Sequence, residues 1–533
     1  MTTASAGQLL YFRSAADGAL HPCAVAETGP ADKPRPLIVE VSPGALGDLQ
    51  GCVRTAERMA AAAAELGEPC VALRATGRGD GSVYQNYGEV DVLEAIAHVR
   101  SLYDIDADRI LVTGGSMGGA ATWYLTSHYP DLFAGGAPVC GYCDYRLWEK
   151  PGGLTYHMHP WEEPSWQARS AAFLLDNFEH TPMFISHGEW DRAVGGGVPA
   201  AHSANMARAL SERGFAHVYN PVPERGHDCW SNELKEAMFG WMLKQRKERD
   251  PDRIRLAVPW LRHRRQAWVA AEELAVYGQA GRIDAQRDTE TIQVTTEGIQ
   301  ALSLGPAPSG GAFALAIDGD ALGEIDLSRF NRFARLDGTW RAAAPQPGRK
   351  RPGVSGPISD LFFAGTLLVT GTAGTAEETF FNQMVAEHAP WFFRGRNGGV
   401  HRGGIGGQNA AALPVRKDGE LTEDERARNN LLLYGTPSTN SVFARYADAL
   451  PVQVGADSIT LGGRTWKRPG VAAVAAFPHP ENAERYVAVH TGTTPDAITW
   501  GSHLDMQLLP DYLVYAGGEL LDWGFFDGNW RAR

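Results

Sequence analysis

The chain has 533 residues, 44% apolar and 21% charged, with a formal net charge of −13. That length admits two or three domains, the composition excludes the disordered and fibrous classes, and the acidic balance disfavours a nucleic-acid partner, which needs clustered Lys and Arg. The N-terminus "MTTASAGQLLYFRSAADG" lacks the basic start and apolar core of a secretory signal, and no run of 18 apolar residues occurs. A cytoplasmic protein with no membrane partner is expected.

The elements follow in chain order. "PLIVEVS" (36–42) is a near-continuous apolar run, as in a strand buried on both faces. "CVRTAERMAAAAAELG" reads as a helix stopped at Gly67, "PCVALRA" as the next strand, and "EVDVLEAIAHVRSLY" as a helix with Val90, Leu93, Ile96 and Ala97 on one stripe. "RILVTG" then leads into "GSMGGAATWYL". "FAGGAPVCG", "PMFISHGEWD" and "HVYNPVPERGHDCW" continue the strands, with helices in "AAHSANMARALSERG" and "NELKEAMFGWMLKQRK". Six strands alternating with helices predict one mostly parallel, doubly wound α/β domain over residues 1–250. Between 144 and 180 the alternation breaks into an aromatic-rich insertion, expected to act as a lid.

"KQRKERDPDRIR" and "LRHRRQ", between residues 244 and 266, form the one dense basic run. It reads as a solvated helix end and a linker near Asp250–Arg255. Beyond it, residues 251–533 have another texture. "AWVAAEELAVYG", "RIDAQR", "TIQVTT" and "AFALAIDG" alternate like short antiparallel strands, giving a β-rich part over 255–350. Helices return in "AEETFFNQMVAEHAPWFF" and "NSVFARYADAL", so 355–533 reads as a second α/β layer. The glycine-rich stretch at 394–409 lacks GxGxxG in the right frame and reads as a mobile loop.

Six cysteines, Cys23, Cys52, Cys70, Cys140, Cys143 and Cys229, are too sparse for a disulfide scaffold. Cys140 and Cys143 make one CxxC, but no second ligand pair at zinc spacing accompanies it, and buried small residues are expected. His157 and His159 in "YHMHPW" lack a nearby third ligand. No cofactor and no metal are expected.

Chemistry concentrates around Ser116. It follows an apolar strand, opens a helix, and lies among Gly114, Gly115, Gly118 and Gly119, as a sharp strand-to-helix turn presenting a nucleophile requires. A serine hydroxyl needs a base that is itself oriented by a carboxylate. Asp191 lies just past a strand end and His227 in the loop after the last strand, so the order Ser, Asp, His falls at carboxyl ends of strands. Glu189 and Asp228 are weaker choices for the acid, and His187 reads as structural. An oxyanion needs two donors: the N–H of Met117 is one, and the loop after "LIVEVS" supplies the other, from Gly44, Ala45 or Leu46, since Pro43 has no N–H; Ala45 is preferred. Gly115, Tyr142, Trp190 and Trp230, with Trp148, Trp161 and Trp166 of the insertion, are the expected pocket lining.

"GRGDGSVYQNYGEVDVLEAI", "DADRILVTGGSMGGAATWYLTSHYPDLFAGGAPVCG", "HGEWDRAV" and "GHDCW" resemble the α/β-hydrolase superfamily, in its prolyl oligopeptidase-like and dienelactone hydrolase-like branch. The resemblance implies a nucleophile at Ser116, an acid at Asp191 and a base at His227. The usual His-Gly after the third strand is here Pro43-Gly44. Residues beyond 255, through "GPISDLFF" and "NLLLYGTPSTNSVFARYADALPVQV", resemble the C-terminal extension of some bacterial members, and the β-rich part is too short for a propeller. The expectation is a serine hydrolase cleaving a carboxylic ester, its partner a small-molecule ester or peptide-like substrate. A peptidase or amidase, an acyltransferase, and a non-catalytic binding protein are the alternatives. The large C-terminal region leaves a homo-oligomer open.

Overall fold

The computed structural model describes residues 6–42, 48–78, 84–147, 149–150, 154–155, 159–192, 197–395 and 413–533. The hydrolase part is built on an eight-stranded sheet. Its strands are β1 (Gln8–Arg13), β2 (Leu20–Thr28), β3 (Arg35–Glu40), β4 (Cys70–Ala75), β5 (Ile105–Gly115), β6 (Gly135–Val139), β7 (Met183–Gly188) and β8 (His217–Val222), in the spatial order β1-β2-β4-β3-β5-β6-β7-β8. Strands β3 to β8 pair in parallel, while β1 and β2 form an antiparallel hairpin on the edge. The sheet therefore has eight strands, two beyond the six read from the sequence. The hairpin escapes a search for buried parallel strands because β1 leaves most of its residues exposed or half-exposed.

Helices α1 (Leu49–Glu65), α2 (Tyr87–Leu102), α3 (Met117–His128), α4 (Glu163–Arg169), α5 (Ala201–Glu212) and α6 (Asn232–Met242) pack around the sheet. In α1 the Asp48 side chain accepts from the Gly51 N–H as N-cap, and Cys52, Ala56, Met59, Ala60 and Ala63 form one buried stripe at helical spacing. Helix α3 is buried almost all round, as its small-residue start allows.

Residues 253–342 form a sandwich of two five-stranded sheets. One has β9 (Arg253–Val258), β12 (Gly281–Arg287), β13 (Thr291–Glu297), β15 (Ala312–Ile317) and β16 (Asp320–Asp326). The other has β10 (Arg265–Gln266), β11 (Val269–Leu274), β14 (Ile299–Leu304), β17 (Asn331–Leu336) and β18 (Thr339–Ala342). Their inner faces share one core around Trp268, Phe333 and Trp340. One pair, β13 with β15, is parallel, so the stretch is not uniformly antiparallel as its alternation suggests.

The rest carries a seven-stranded mixed sheet in the order β20-β19-β21-β26-β25-β27-β28. These are β19 (Thr366–Thr370), β20 (Val415–Lys417), β21 (Asn430–Tyr434), β25 (Val471–His479), β26 (Asn482–Gly492), β27 (Tyr512–Ala516) and β28 (Glu519–Gly524). Helices α7 (Ala376–Gly395), α8 (Glu423–Arg428) and α9 (Ser441–Tyr446) accompany it, as does a small sheet of β22 (Val452–Val454), β23 (Ser458–Leu461) and β24 (Arg464–Lys467). From residue 396 the glycine-rich stretch lies outside the described residues.

The cations of the basic run are paired, although several stay exposed to solvent. Arg246 pairs with Asp106 and Asp108, Arg253 with Asp284 and Arg262 with Asp360, and the buried Lys247 ammonium donates to the carbonyls of Pro130 and Phe133. Of these, the Arg262–Asp360 pair crosses between parts, from the sandwich to the C-terminal region. Asn177 exchanges two hydrogen bonds with the backbone of Ala257, at 2.7 and 2.9 Å. Tyr129, Asp131 and residues 176–180, which meet the sandwich, precede the amino ends of β6 and β7. The last sheet grips the other segments: Tyr87 Oη donates to Ala364 O at 2.8 Å, Arg169 Nη2 to Gln507 O at 2.8 Å and Ser165 Oγ to Leu508 O at 3.0 Å. No helix among the described residues is long and apolar enough to cross a membrane.

Candidate active site

Ser116 stands between the last residue of β5 and the first of α3 with φ +58° and ψ −117°. This is a conformation that L residues avoid, and such strain is sustained where the surroundings over-determine it. Here its N–H donates to Val139 O at 2.9 Å, and Ala120 N–H closes the first helical turn on Ser116 O at 3.0 Å. The flanking glycines answer a close approach of main chains: a Cβ on Gly114 would lie 2.1 Å from Val41 O, and one on Gly118 only 1.7 Å from the same atom. Any side chain at these positions would push β3 away from the bend.

Three side chains distant in sequence meet at the carboxyl ends of β5, β7 and β8. His227 Nε2 lies 2.9 Å from Ser116 Oγ, and His227 Nδ1 lies 2.7 Å from Asp191 Oδ2. With Nδ1–H donating to the carboxylate, Nε2 is left as acceptor for the serine hydroxyl. The hydrogen bond to Asp191 raises the His227 pKa above its ordinary 6.5, against an opposing effect of burial. Burial pushes the Asp191 carboxyl up, but hydrogen bonds from His187 and His227 outweigh it and hold the pKa at about 2. The acid is thus ionised throughout the range in which the imidazole titrates. Glu189 and Asp228, the weaker choices for the acid, make no such bond to His227 among the described contacts.

His187 does more than the sequence suggests. Its Nε2 lies 3.1 Å from the same Asp191 Oδ2 and 3.0 Å from Val198 O, and its Nδ1 lies 2.7 Å from Ser203 Oγ. Asp191 Oδ1 accepts from Val198 N–H at 3.0 Å. The carboxylate is therefore held on both oxygens, and a second imidazole supports the one that faces Ser116. Only the His-Gly that ends β7 hints at this in the sequence.

Ser42, Arg74 and Tyr84 were also not legible as site residues. Gly115 N–H donates to Ser42 Oγ at 3.1 Å, while Ser42 O accepts from Arg74 Nη2 at 2.5 Å and from Tyr84 Oη at 2.6 Å. Together they fix the end of β3 beside the nucleophile. The loop that follows, with Gly44, Ala45 and Leu46, lies outside the described residues.

The expected pocket residues divide. Trp230 lies over Gly115, its ring 3.1 Å from where a Cβ would stand, and is 38% exposed. Tyr142 is buried beside Ala120, Tyr145 and Val198, in a cluster against which Met117 and Trp166 of α4 pack. Trp166 and the residue after Ser116 therefore share one cluster. Trp161 does not line this pocket: it is buried against the C-terminal part, 6.2 Å from the Trp500 ring, because residues 161–169 dock there. Trp190 is 59% exposed, its N–H tied to Arg225 O at 2.8 Å. Trp148 and His157 lie outside the described residues, and the His159 ring stacks on Trp161 at 4.2 Å.

All six cysteines are buried thiols. The CxxC pair does not act as a unit: Cys140 Sγ faces Cys229 Sγ at 3.4 Å, while Cys143 Sγ faces His202 Nδ1 at 3.5 Å. Cys140, Asp191 and His227 bring three ligand atoms within 4.8 Å. A metal bound there would have to displace the Nδ1–Oδ2 hydrogen bond.

A strained serine at the turn between a buried strand and a helix, joined to an imidazole and a carboxylate at the carboxyl edge of a mostly parallel sheet, is the arrangement of the α/β-hydrolase fold. Residues 81–249 match the prolyl oligopeptidase family. An uncharacterized secreted protein of Arthroderma benhamiae is 35% identical over 144 residues, 25% of this chain and 14% of that protein's length. The chain thus spans a small part of this curated relative. Among solved structures, the acylaminoacyl peptidase of Pyrococcus horikoshii overlaps with 15% identity, 46% of this chain, 43% of its own and a TM-score of 0.37. A fluorophosphonate-binding serine hydrolase of Staphylococcus aureus overlaps with 15% identity, 46% of this chain, all of its own and a TM-score of 0.35.

Proposed function

We propose that the chain hydrolyses a carboxylic ester through an acyl-enzyme on Ser116. The observation that carries this reading is the continuous hydrogen-bonded chain from Ser116 Oγ through His227 to Asp191. Ser116 Oγ attacks the carbonyl as His227 Nε2 takes its proton; His227 returns that proton to the leaving alcohol, and water, deprotonated by the same nitrogen, releases the acid. Asp191, supported by His187, orients the imidazole and stabilises its charged form. Met117 N–H, in the first turn of α3 where amides lack helical partners, is assigned to the oxyanion, and Ala45 is retained as the second donor. Gly115, Tyr142, Trp190 and Trp230 are assigned to the substrate side, with the Trp230 ring lying over Gly115.

An ester is favoured over a peptide because no acidic pair that would hold a substrate amino group is identified among the described residues of the accessory regions. p-Nitrophenyl esters compared with aminoacyl-p-nitroanilides decide between the two: higher kcat/KM on the anilides would overturn the ester assignment. Trp230→Ala is expected to raise KM for aryl esters about tenfold with kcat little changed, since an aromatic contact beside Gly115 contributes roughly 0.5–1.5 kcal/mol. Unchanged KM would remove Trp230 from the pocket.

The acid limb of the pH profile follows from the same bonds. Catalysis needs neutral His227, whose pKa is raised by Asp191, so kcat/KM should be high above that pKa and fall as pH drops through a midpoint above 6.5. In Asp191→Asn the midpoint should move down and the plateau should fall by about 10⁴-fold. A midpoint that does not move would mean that the carboxylate does not tune the base.

A further inference from the structure

A second cleft lies in the C-terminal sheet. Strands β19, β21 and β26 are parallel neighbours, and their chains leave in opposite directions. After β19 the chain passes through α7 to β20 on one side; after β21 it passes through α9 toward β25 and β26 on the other. Open α/β sheets bind ligands at the carboxyl ends of strands where the connections diverge in this way, because the two loops part and leave a crevice. A cavity of about 340 Å³ occupies this edge, lined by Glu378 and Asn382 of α7, residues 435–439 after β21, and residues 492–495 after β26. That volume falls in the lower part of the usual range for small-molecule sites, about 300–1,000 Å³.

The lining fixes the chemistry. Thr436, Ser438, Thr439, Thr493 and Thr494 contribute five hydroxyls, Asn382 an amide and Glu378 a carboxylate, with no Lys, Arg or His and no aromatic ring among the lining residues. The positive end of α7 is already answered from within: Glu378 Oε2 accepts from Thr375 N–H at 2.7 Å and from Thr375 Oγ1 at 2.9 Å. A second anion there would meet that carboxylate with no cation to offset it. The hydroxyls are also ordered in advance. Thr436 N–H donates to Thr439 Oγ1 at 2.9 Å, Thr436 Oγ1 meets Ser438 Oγ at 2.8 Å, and Thr494 Oγ1 donates to Asp496 Oδ1 at 2.7 Å. Asn382, 4% exposed, gives one amide hydrogen to Gly371 O at 3.2 Å, which fixes the plane of its side chain. Gly435 permits this: at φ +116°, a Cβ there would stand 2.6 Å from Thr439 Oγ1 and 2.9 Å from Asn382 Nδ2. Val454, Pro437, Pro495 and Ile498 supply apolar wall between the polar groups.

We propose that this cleft is a binding site for a neutral polyhydroxylated ligand, a mono- or disaccharide unit, distinct from the Ser116 site and independent of its chemistry. Hydroxyls that both donate and accept match the alternating donors and acceptors of a sugar edge, and the small apolar wall faces its C–H groups. Isothermal titration of the full chain with D-glucose, D-xylose, L-arabinose, cellobiose and xylobiose tests this, with inorganic phosphate and ATP as the anionic comparison. Saturable binding of at least one sugar is expected, weakened about fivefold to tenfold by Thr436→Val and by Ser438→Ala, and unchanged in Ser116→Ala. Far-ultraviolet circular dichroism checks that both loop variants fold. Absence of saturable binding by every sugar up to about 50 mM, equal affinity in the loop variants, loss of binding in Ser116→Ala, or tighter binding of phosphate or ATP than of any sugar would each overturn the assignment.

Discussion

Ser116→Ala is expected to lower kcat on an ester substrate by about 10⁵- to 10⁶-fold and to abolish covalent labelling by a fluorophosphonate probe. The magnitude follows from the unity of the three groups: once the attacking oxygen is gone, the base and acid have nothing to activate, and only oriented water remains. The substitution removes one oxygen at a position where the main chain is fixed by Val139 and Ala120, so the fold should be retained, as circular dichroism and an unchanged unfolding midpoint would show. His227→Ala should lose nearly as much activity. Full labelling and turnover in a folded Ser116→Ala would remove Ser116 from the nucleophile role, and no labelling of the folded wild type would leave the triad without its chemistry.

Glu89→Ala is expected to destabilise the molecule by about 3–5 kcal/mol, the range for breaking a buried charged cluster. Glu89 is fully buried at the start of α2 and takes hydrogen bonds from Tyr124 and Tyr129 of the hydrolase part and, at 2.9 Å, from His263 of the sandwich. Removing the carboxylate strands three buried donors and cuts a polar tie between those parts. Glu89→Gln keeps an acceptor and should lose less. Burial raises the Glu89 pKa, but the His263 charge and the hydrogen bonds from His263, Tyr124 and Tyr129 outweigh it and hold it at about 2, below its ordinary 4.5. This stabilisation is therefore complete above pH 4.5 and is lost as pH falls toward 2. Urea unfolding of the two variants and the wild type, at pH 7 and in acid, measures it; a shift below about 1 kcal/mol for Glu89→Ala at pH 7 would show that the cluster does not hold the junction.

Much of the hydrolase part was legible because local rules and global fold agree there. Strands β3, β4, β6 and β7 are short buried runs, as parallel strands covered on both faces must be, and the order of Ser116, Asp191 and His227 along the chain matches three strand ends on one edge. The failures have specific causes. The β1–β2 hairpin exposes part of its surface and so lacks a buried-strand pattern. The partners of the arginines at 246, 253 and 262, namely Asp106, Asp284 and Asp360, could not be read because they lie far away in sequence. Trp161 and Trp166, five residues apart in one insertion, face different neighbours, and no spacing rule could have separated them.

By itself, then, the sequence determined the strand–turn–helix at Ser116, since glycines with no room for a Cβ and an apolar strand permit little else, and it pointed to Asp191 and His227 as the residues the fold brings beside it. Tertiary structure alone decided that His187 shares the Asp191 carboxylate, that Cys140 faces Cys229 rather than Cys143, and that Glu89 meets His263 across a junction. Each of these depends on where separate strands and sheets come to rest, and contacts between residues tens to hundreds of positions apart leave no periodic mark on the chain.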